Sequence, residues 1–383
     1  MTLPARISTS DLTSQDERFA SAFAILTEAI SHRAFPAVSV AVTHNGKFVA
    51  LKAFGQFTYE PSSSVVSTES VFDLASLTKV VATTTMAMIL YERGLLDLEA
   101  PVIATLPEFA SKDARRNEVT FRMLLAHSSG LPAYEKLFLR AFTREVLLRD
   151  AFAVPLKHDP GTHAEYSDIG FILLGVALKR TAGEALDAFC RREIFAPLNM
   201  TNTAFNHPPS MRDRSVPTAD DKTFRKRIIQ GEVQDENASI MGGVAGHAGL
   251  FSTASDVATF ALSMLDGGKP LLQPSTVQLF TRRENSPAGT SRALGWDTPS
   301  SPSQSGKYFS PTSFGHLGYT GTSLWIDPAQ QLSVTLLTNR TWPDCSNQAI
   351  KQVRPQFHDA IVKACAWRNR KSNEEKTLKH RES

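Results

Sequence analysis

Both ends of the chain carry the apolar patterns of paired β-strands. Residues 37–44 predict one strand, and residues 47–54 predict its partner. Between them, Asn45–Gly46 predicts a two-residue hairpin turn, because both residue types tolerate positive φ. Near the other end, residues 322–327 and 331–338 form a second pair around an Asp-Pro turn. The sequence therefore predicts two β-hairpins that lie far apart along the chain.

Helical spacing of apolar residues dominates the region between the hairpins, where strand signals are few. Two further helices are predicted outside this region, at about residues 15–34 and 346–367, and Pro355 predicts a kink or a break in the second. The helix-compatible segments between the hairpins are residues 80–91, 122–126, 143–154, 170–181 and 186–195.

Strands at both ends with helices between them predict an α+β fold. The economical arrangement is one antiparallel sheet, built from both chain termini and flanked by helices, with an inserted all-helical domain. We assign residues 10–75 and 240–368 to an α/β sandwich domain, and residues 76–239 to the mostly helical domain. Residues 369–383 are polar and charged, and they predict a disordered tail.

The composition is that of a globular protein with a large core. Of 383 residues, 42% are hydrophobic and 21% are charged. The three cysteines are odd in number, far apart and outside any CxxC motif, which excludes a disulfide scaffold. The sequence holds no apolar stretch of about 18 residues, so no membrane span is predicted. Because the N-terminus lacks the apolar core of a secretory signal, we expect a cytoplasmic protein and leave a periplasmic location open.

The distribution of charge argues against a nucleic-acid partner. The formal net charge is +3, and the last sixteen residues alone hold six Lys or Arg against three Asp or Glu. The rest of the chain is therefore close to neutral, whereas a nucleic-acid-binding protein concentrates basic residues on its folded body. We expect a small-molecule partner, and the oligomeric state does not follow from the sequence.

The sharpest chemical signal is Ser76, followed three residues later by Lys79 at the start of an apolar helical run. This spacing places the amine beside the hydroxyl on one helix face. A serine hydroxyl is a weak nucleophile until a base takes its proton, and a lysine can be that base if burial lowers its pKa. The pattern is common by chance, however, and a serine at a helix start is usually only an N-cap.

Two further segments strengthen the signal. Tyr166 and Asp168 precede another apolar helix, and a tyrosine hydroxyl near a lysine can serve as a base or a proton relay. By themselves, these two residues are more simply a half-buried tyrosine and a helix N-cap. Later in the chain, residues 315–322 hold three glycines just before a predicted strand, which lets the backbone approach a ligand closely.

In this order, Ser-x-x-Lys, Tyr-x-Asp and His-x-Gly resemble the motifs of the serine β-lactamase and penicillin-binding-protein superfamily. The chain is most similar to class C β-lactamases and to the related esterases and DD-peptidase-like hydrolases. Residues 124–132 and 242–253 also resemble stretches common in that group, and the similarity spans about residues 20–365. The resemblance implies an α/β sandwich beside an all-helical domain, with the site between them.

The resemblance also implies roles for individual residues. Ser76 would be the acylated nucleophile, and Lys79 and Tyr166 would share the base role. The oxyanion hole would use the backbone N–H groups of Ser76 and Tyr319, and losing one such donor typically costs about 3–4 kcal/mol of barrier lowering. Three further positions would bind or support the substrate: Asp168, His316 and Gly318.

Two departures from the family pattern bear on the substrate. Asp168 stands where the family has Asn, and its charge would stabilise the ammonium form of Lys79 and weaken Lys79 as a base. A nearby cationic His316 could offset this effect, or Tyr166 could carry the base role. His316 and Leu317 replace the Lys and Thr of K-T-G, whose side chains help to hold a substrate carboxylate in the family. The sequence therefore favours neutral esters or amides over penicillins and D-Ala-D-Ala peptides.

The sequence thus predicts a serine hydrolase, free of metal and cofactor, that works through an acyl-enzyme. Esterase-type activity on small carboxylic esters or amides is the preferred hypothesis, and β-lactamase or DD-peptidase activity is the alternative. A hypothesis of another class is a non-catalytic binding or regulatory module with a relic site, which the changes at Asp168 and Leu317 motivate. Acyl transfer to an acceptor other than water would share the first half of the reaction.

Overall fold

Both predicted hairpins form in the computed structural model, which describes residues 12–379. Asn45 and Gly46 adopt φ angles of 52° and 74°, as a two-residue hairpin turn requires. The second hairpin pairs Ser323–Asp327 with Leu332–Thr338 in antiparallel register. Local turn chemistry and strand patterning were therefore sufficient to predict these two units.

Strands from the two chain ends join in one five-stranded antiparallel sheet. The strands are, in chain order, β1 Ala37–His44, β2 Lys47–Gly55, β3 Phe72–Asp73, β4 Ala204–Phe205, β5 Ala219–Asp221, β6 Arg227–Ile229, β7 Leu250–Ser252, β8 Phe314–Leu317, β9 Ser323–Asp327 and β10 Leu332–Thr338. The sheet order is β2-β1-β10-β9-β8. The predicted sheet from both termini is confirmed, and β8 is a strand that the sequence analysis did not predict.

Most helices lie between the two hairpins, and others lie before the first hairpin and after the second, as the apolar spacing predicted. They are, in chain order, α1 Gln15–Arg18, α2 Ala20–Ser31, α3 Thr85–Glu92, α4 Phe121–Leu125, α5 Arg144–Ala153, α6 Asp168–Ala182, α7 Leu186–Cys190, α8 Glu236–Ile240, α9 Ala254–Leu265, α10 Pro274–Thr281 and α11 Ile350–Lys379. A π-helical turn, Lys79–Thr84, leads into α3, and the 3₁₀ turn Ala75–Leu77 precedes it. All five helical segments between the hairpins are confirmed, whereas α8, α9 and α10 were not predicted.

Alternate residues of the sheet face two different helical layers. Val38, Val40 and Val42 of β1 pack in the core shared with α2 and α11. Ala37 and Ala41, which point the other way, belong to the core shared with α9. The sheet is therefore buried on both faces, which explains why its strands are continuous apolar runs.

Helix α6 is the buried centre of the helical region and positions the segment that carries Tyr166. Ser167 caps its N-terminus by accepting a 3.0 Å hydrogen bond from Gly170 N–H, and Gly183 ends it with a φ of 64°. Residues 169–178 are buried on every side of the helix, which is typical of a helix enclosed by others. Tyr166 therefore lies immediately before a rigid, buried helix. The domain boundaries given above remain a prediction.

The last helix differs from the prediction. Helix α11 continues over residues 369–379, which were predicted to belong to a disordered tail, and residues 380–383 lie outside the described residues. Lys, Arg and Glu are good helix formers, so a helix nucleated by packed residues can extend through a charged segment. Pro355 lies inside α11 without ending it.

Candidate active site

Ser76, Lys79 and Tyr166 come together in the structure. Ser76 Oγ lies 2.6 Å from Tyr166 Oη and 3.0 Å from Lys79 Nζ. Tyr166 follows Ser76 by 90 residues and stands just ahead of α6, so only the fold brings the two hydroxyls into contact. A hydroxyl within hydrogen-bond distance of two groups able to take up a proton is a candidate nucleophile.

Lys79 is fully buried and has three oxygen partners. Besides Ser76 Oγ, its Nζ donates to Asp168 Oδ1 at 2.6 Å and to the backbone carbonyl of His247 at 2.9 Å. Burial lowers the pKa of Lys79, and the charge of Asp168 opposes that effect without cancelling it. A lowered pKa makes the neutral amine, the form that can accept a proton, available nearer to neutral pH.

Tyr166 Oη links the serine to Asp168. It lies 3.0 Å from Asp168 Oδ1, and an ionised carboxylate only accepts, so the phenol donates there. Ser76 O–H is then the donor to Tyr166 Oη. Burial, followed by the charge of Asp168, raises the pKa of Tyr166 well above its ordinary value. The imidazole of His127 packs on the Tyr166 ring, with 4.8 Å between centroids, and fixes its position.

The backbone just before Ser76 is strained and is held by Asp73. Ala75 has a φ of 47°, in the left-handed region, which costs a non-glycine residue about 1–2 kcal/mol. Ala75 N–H donates to Asp73 Oδ1 at 2.8 Å, and Gln234 N–H donates to Asp73 Oδ2 at 2.7 Å. Strain that the surrounding structure maintains is typical of functional sites.

The turn between β8 and β9 is tied to the residues that lead to the serine. Thr320 Oγ1 donates to the Asp73 carbonyl at 2.8 Å, and Thr322 Oγ1 donates to the Leu74 carbonyl at 2.9 Å. These two bonds join segments that are almost 250 residues apart, since each spans 247 or 248 positions of the chain. The turn and the serine are therefore held in one fixed arrangement.

Gly318 and Tyr319 lie at the start of that turn. A Cβ on Gly318 would stand 2.5 Å from the Leu74 carbonyl oxygen, so only glycine fits there. Within residues 12–379, neither Ser76 N–H nor Tyr319 N–H has a hydrogen-bond acceptor. Two unpaired N–H groups beside a candidate nucleophile are available to a developing oxyanion.

His316 occupies the site as a neutral side chain. Its ring is buried, and Nδ1 donates to the Leu317 carbonyl at 2.8 Å. Burial, followed by the positive charges of Lys79 and Arg292, holds the pKa of His316 well below 6.5. Of the two ways in which the effect of Asp168 could be offset, a cationic His316 is therefore disfavoured, because desolvation and two neighbouring cations oppose the imidazolium.

The site opens into a cavity of about 780 Å³, a size that suits a small-molecule ligand. Its charged lining residues are Lys136, Asp168, Asp235, Glu236, Arg292, Asp297, Arg340, Lys351 and Arg354. Within the described chain, no three His, Cys, Asp or Glu side chains converge as a set of metal ligands. A search of the same residues finds no helix with the length and apolarity needed to cross a bilayer.

A family model described as Beta-lactamase matches residues 22–354. The chain belongs to the Beta-lactamase family. It is 33% identical over 345 residues to an N-acetylmuramyl-L-alanine amidase of Bacillus subtilis (strain 168), covering 80% of this chain and 77% of the relative. It is 30% identical over 343 residues to a putative D-alanyl-D-alanine carboxypeptidase of Escherichia coli (strain K12), covering 80% and 79% of the two chains.

Solved structures of other proteins share the fold of this Beta-lactamase-family chain. EstCE1, a hydrolase with promiscuous acyltransferase activity, superposes with a TM-score of 0.75 at 23% identity, covering 93% of this chain and 100% of that one. A penicillin-binding protein homologue from Caulobacter crescentus superposes with a TM-score of 0.73 at 18% identity, covering 91% of this chain and 98% of that one. The predicted α+β fold and the assignment to the serine hydrolases are both confirmed.

One residue of the Beta-lactamase-family site acts through its backbone, and the sequence analysis did not assign it to the site. His247 offers its carbonyl to Lys79, while its Nε2 lies 2.9 Å from Asp235 Oδ1. The loop around it is tightly packed, since a Cβ on Gly246 would collide with the Phe171 carbonyl. The glycine-rich stretch marked the family, but a carbonyl acceptor leaves no side-chain signature in a sequence.

Arg292 is a second residue of the site that the sequence analysis missed. Its guanidinium carbon lies 5.6 Å from the centre of the Tyr166 ring, and the residue lines the cavity. It comes from a polar segment between α10 and β8 that carries no motif. Only the tertiary structure brings its positive charge to the site.

Proposed function

We propose that Ser76 attacks the carbonyl carbon of a small carboxylic amide or ester and becomes transiently acylated. The observation that carries the proposal is the contact of Ser76 Oγ with both Tyr166 Oη, at 2.6 Å, and Lys79 Nζ, at 3.0 Å. A nucleophile beside a base that is oriented by a third group is the arrangement that covalent catalysis requires. Here Asp168 is the third group, because it accepts hydrogen bonds from both Tyr166 and Lys79.

The proton of Ser76 leaves toward the Lys79 and Tyr166 pair. Ser76 donates to the phenol oxygen, and the phenol donates onward to Asp168, so a proton can be relayed without movement of any heavy atom. Lys79, with its lowered pKa, contacts the same serine oxygen. Because the groups share hydrogen bonds, they titrate as a unit rather than singly.

The tetrahedral intermediate places its negative oxygen between the N–H groups of Ser76 and Tyr319. Both groups lack an acceptor among the described residues, and the ties from Thr320 and Thr322 keep them in place. Preorganised donors of this kind lower the barrier because they need not reorient during the reaction. When the intermediate collapses, the bond between the carbonyl carbon and the amine or alcohol breaks, and this group leaves with the proton that the Lys79 and Tyr166 pair took from Ser76. Water, or another acceptor, then attacks the acyl carbon and releases the acyl group from Ser76.

We propose amides as the natural substrates, within the wider class of small esters and amides. The relative at 33% identity is named for an amide bond, that of N-acetylmuramyl-L-alanine, and the relative at 30% is named as a putative D-alanyl-D-alanine carboxypeptidase. Both names describe bonds between small polar acyl and amine groups. The polar and charged lining of the cavity is compatible with such substrates.

The role of Ser76 is tested with a short-chain chromogenic ester. We expect turnover by the wild type, loss of turnover in Ser76→Ala, and no change in Ser300→Ala, which alters an exposed serine. A fluorophosphonate probe should add one adduct to the wild type and none to Ser76→Ala, as measured by intact mass. Turnover that survives in Ser76→Ala contradicts the mechanism, and wild-type protein without adduct or turnover supports the relic-site alternative.

The substrate class is tested by product analysis. The purified enzyme is incubated in turn with N-acetylmuramyl-L-alanine, a peptide ending in D-Ala-D-Ala, and a chromogenic cephalosporin. We expect release of L-alanine from the first compound at a higher kcat/KM than either other reaction. Preferential release of D-alanine or opening of the lactam would favour the alternative activities. Added alcohols or amines that appear in the product would show acyl transfer instead of hydrolysis.

A further inference from the structure

Two buried arginines line the same cavity as Ser76. Arg340 is 5% exposed and Arg354 is 4% exposed, and both belong to the cavity wall. Arg340 follows β10, and Arg354 lies in the first turns of α11. The two side chains therefore come from the sheet-containing part of the molecule, and Lys351 adds a third positive charge to the same wall.

Among the residues that the structure describes, every hydrogen-bond acceptor of these guanidinium groups is neutral. Arg340 donates to the carbonyls of Tyr319, Cys345 and Asn347, at 2.7, 3.2 and 3.3 Å. Arg354 donates at 2.9 Å to the side-chain oxygen of a glutamine, Gln304, and more weakly at 3.4 Å to the Thr322 carbonyl. The groups are thus oriented without being neutralised.

Among the described residues, neither Arg340 nor Arg354 has a carboxylate among its hydrogen-bond partners. The Nε of Arg354 is buried and has no hydrogen-bond acceptor there either. Burial and the charge of Arg340 lower the pKa of Arg354 to about 9, which still leaves it charged at neutral pH. Buried charges without a counter-ion are costly, and such charges normally have a partner.

The His316–Leu317 segment, where the family resemblance implies the Lys and Thr of K-T-G, carries no positive charge in this chain. His316 is neutral, and Leu317 has no hydroxyl. Arg340 instead places its charge next to the proposed oxyanion hole, because its Nε donates to the Tyr319 carbonyl and its guanidinium lies 4.3 Å from the Tyr319 ring centre. Positive charge therefore remains beside the site, but at different residues.

We propose that Arg340 and Arg354 form a subsite that binds a carboxylate of the substrate. This inference rests on the proposed function, and it assigns a charged group to the molecule on which Ser76 acts. A planar, singly charged carboxylate matches a guanidinium in shape and charge. Asp235 and Glu236 on the same cavity would repel a doubly charged group such as a phosphate monoester.

The test uses two matched pairs of esters that differ only in charge. On the acyl side, the monoester of glutaric acid with 4-nitrophenol is compared with 4-nitrophenyl valerate. On the leaving-group side, 3-carboxyphenyl butyrate is compared with 3-carbamoylphenyl butyrate. We expect the wild type to favour the charged member of at least one pair, and Arg354→Gln to reduce that preference about tenfold or more. Arg354→Lys should restore part of it.

Arg116 provides the matched control. It is also buried, at 3% exposure, and it donates to four backbone carbonyls, but it does not line the cavity. Arg116→Gln should lower stability and affect the charged and neutral esters equally. If Arg354→Gln and Arg354→Lys likewise affect both members of each pair equally, Arg354 is only structural and the proposal is wrong.

Binding measurements separate this proposal from the mechanism. In Ser76→Ala, which should not turn over the esters, calorimetry gives the affinity for the charged and neutral members directly. A preference for the charged member that Arg354→Gln removes supports the subsite, whatever the activity of the enzyme. Equal affinities in both pairs overturn the subsite and leave the role of Ser76 untouched.

Discussion

The residues around Lys79 set the balance between two opposing effects on its charge. Complete burial lowers its pKa, whereas Asp168 at 2.6 Å stabilises the ammonium form. Asp168 also raises the pKa of Tyr166, and it does so alongside burial. The carboxylate thus makes both candidate bases hold their protons more tightly while it orients them.

Replacing Asp168 by Asn should lower the pH at which the enzyme becomes active. Asn keeps a hydrogen-bond acceptor but removes the charge, so the Lys79 and Tyr166 unit loses its proton more easily. We expect the acid limb of the kcat/KM profile to move to lower pH by about one unit or more. The measurement is a pH–rate profile with a chromogenic ester.

The control for this change is Asp159→Asn, because Asp159 is an exposed carboxylate that contacts Arg115. Its profile should coincide with that of the wild type. An acid limb of Asp168→Asn that moved to higher pH would show that the carboxylate does not act on the base as proposed. A profile without any acid limb in the wild type would contradict the shared base itself.

At the scale of the elements, short turns and loops supply more groups of the site than the long helices do. The 3₁₀ turn Ala75–Leu77 presents the serine, and the β8–β9 turn presents a free N–H group beside it. The loop before β7 passes between α6 and the π-helical turn Lys79–Thr84 to bring a carbonyl to Lys79. Close backbone contact, rather than regular secondary structure, is therefore what these elements share.

Gly246→Ala should destabilise the protein and impair the site together. The added Cβ would stand 2.9 Å from Gly175 Cα and would also collide with the Phe171 carbonyl. Overpacking of this kind typically costs about 1–3 kcal/mol. Gly170→Ala is the matched control, since its Cβ would meet nothing closer than 3.6 Å and a helix favours alanine by up to about 1 kcal/mol. Urea unfolding of both variants gives the comparison, and equal stabilities would contradict the packing argument.

Asp73, which holds the strained turn, should make stability depend on pH. Burial raises the pKa of Asp73 to about 6, above the ordinary value of 3.8. Between these values the folded state binds an extra proton, so the free energy of unfolding falls as the pH rises through this window. Between pH 4 and pH 7, the free energy of unfolding of the wild type should fall by roughly 2–3 kcal/mol more than that of Asp73→Asn. Parallel urea-unfolding results for the two proteins at both pH values would refute this assignment.

For the whole molecule, the sheet depends on both ends of the chain. Strand β1 pairs with β10, so the five-stranded sheet is complete only with strands from both ends of the chain. Helix α11 then covers the outer face with Phe357, Ile361 and Cys365. The site lies where this sheet-containing part meets the helical region.

A truncation tests where the essential part of the chain ends. Removing residues 369–383 should leave the free energy of unfolding within about 0.5 kcal/mol of the full-length value, because the packed residues of α11 reach Cys365. Removing residues 357–383 should prevent stable folding, since it deletes buried side chains of the outer layer. The measurements are urea unfolding and ester turnover. A large loss of stability in the shorter truncation would show that the charged segment also packs.

The sequence alone determined the local features: hairpin turns, helical spacing and the three-residue step from Ser76 to Lys79. Such features depend on residues close together in the chain, whose geometry is set by turn chemistry and helical periodicity. The order of the three motifs along the chain, through the family resemblance, also assigned Tyr166 and the segment around His316 to the candidate site. The short strand β8, with its glycine and histidine, lacks a clear alternation and was missed for that reason.

Only the tertiary structure decided which distant groups meet and what charge they carry. Tyr166 and the His247 carbonyl reach the Ser76–Lys79 step from 90 and 168 residues away, which no local pattern specifies. The neutrality of His316 follows from burial beside Lys79 and Arg292, and the unneutralised state of Arg340 and Arg354 follows from their surroundings. Solvation and long-range contacts are properties of the packed molecule, so they could not be inferred before the chain was folded.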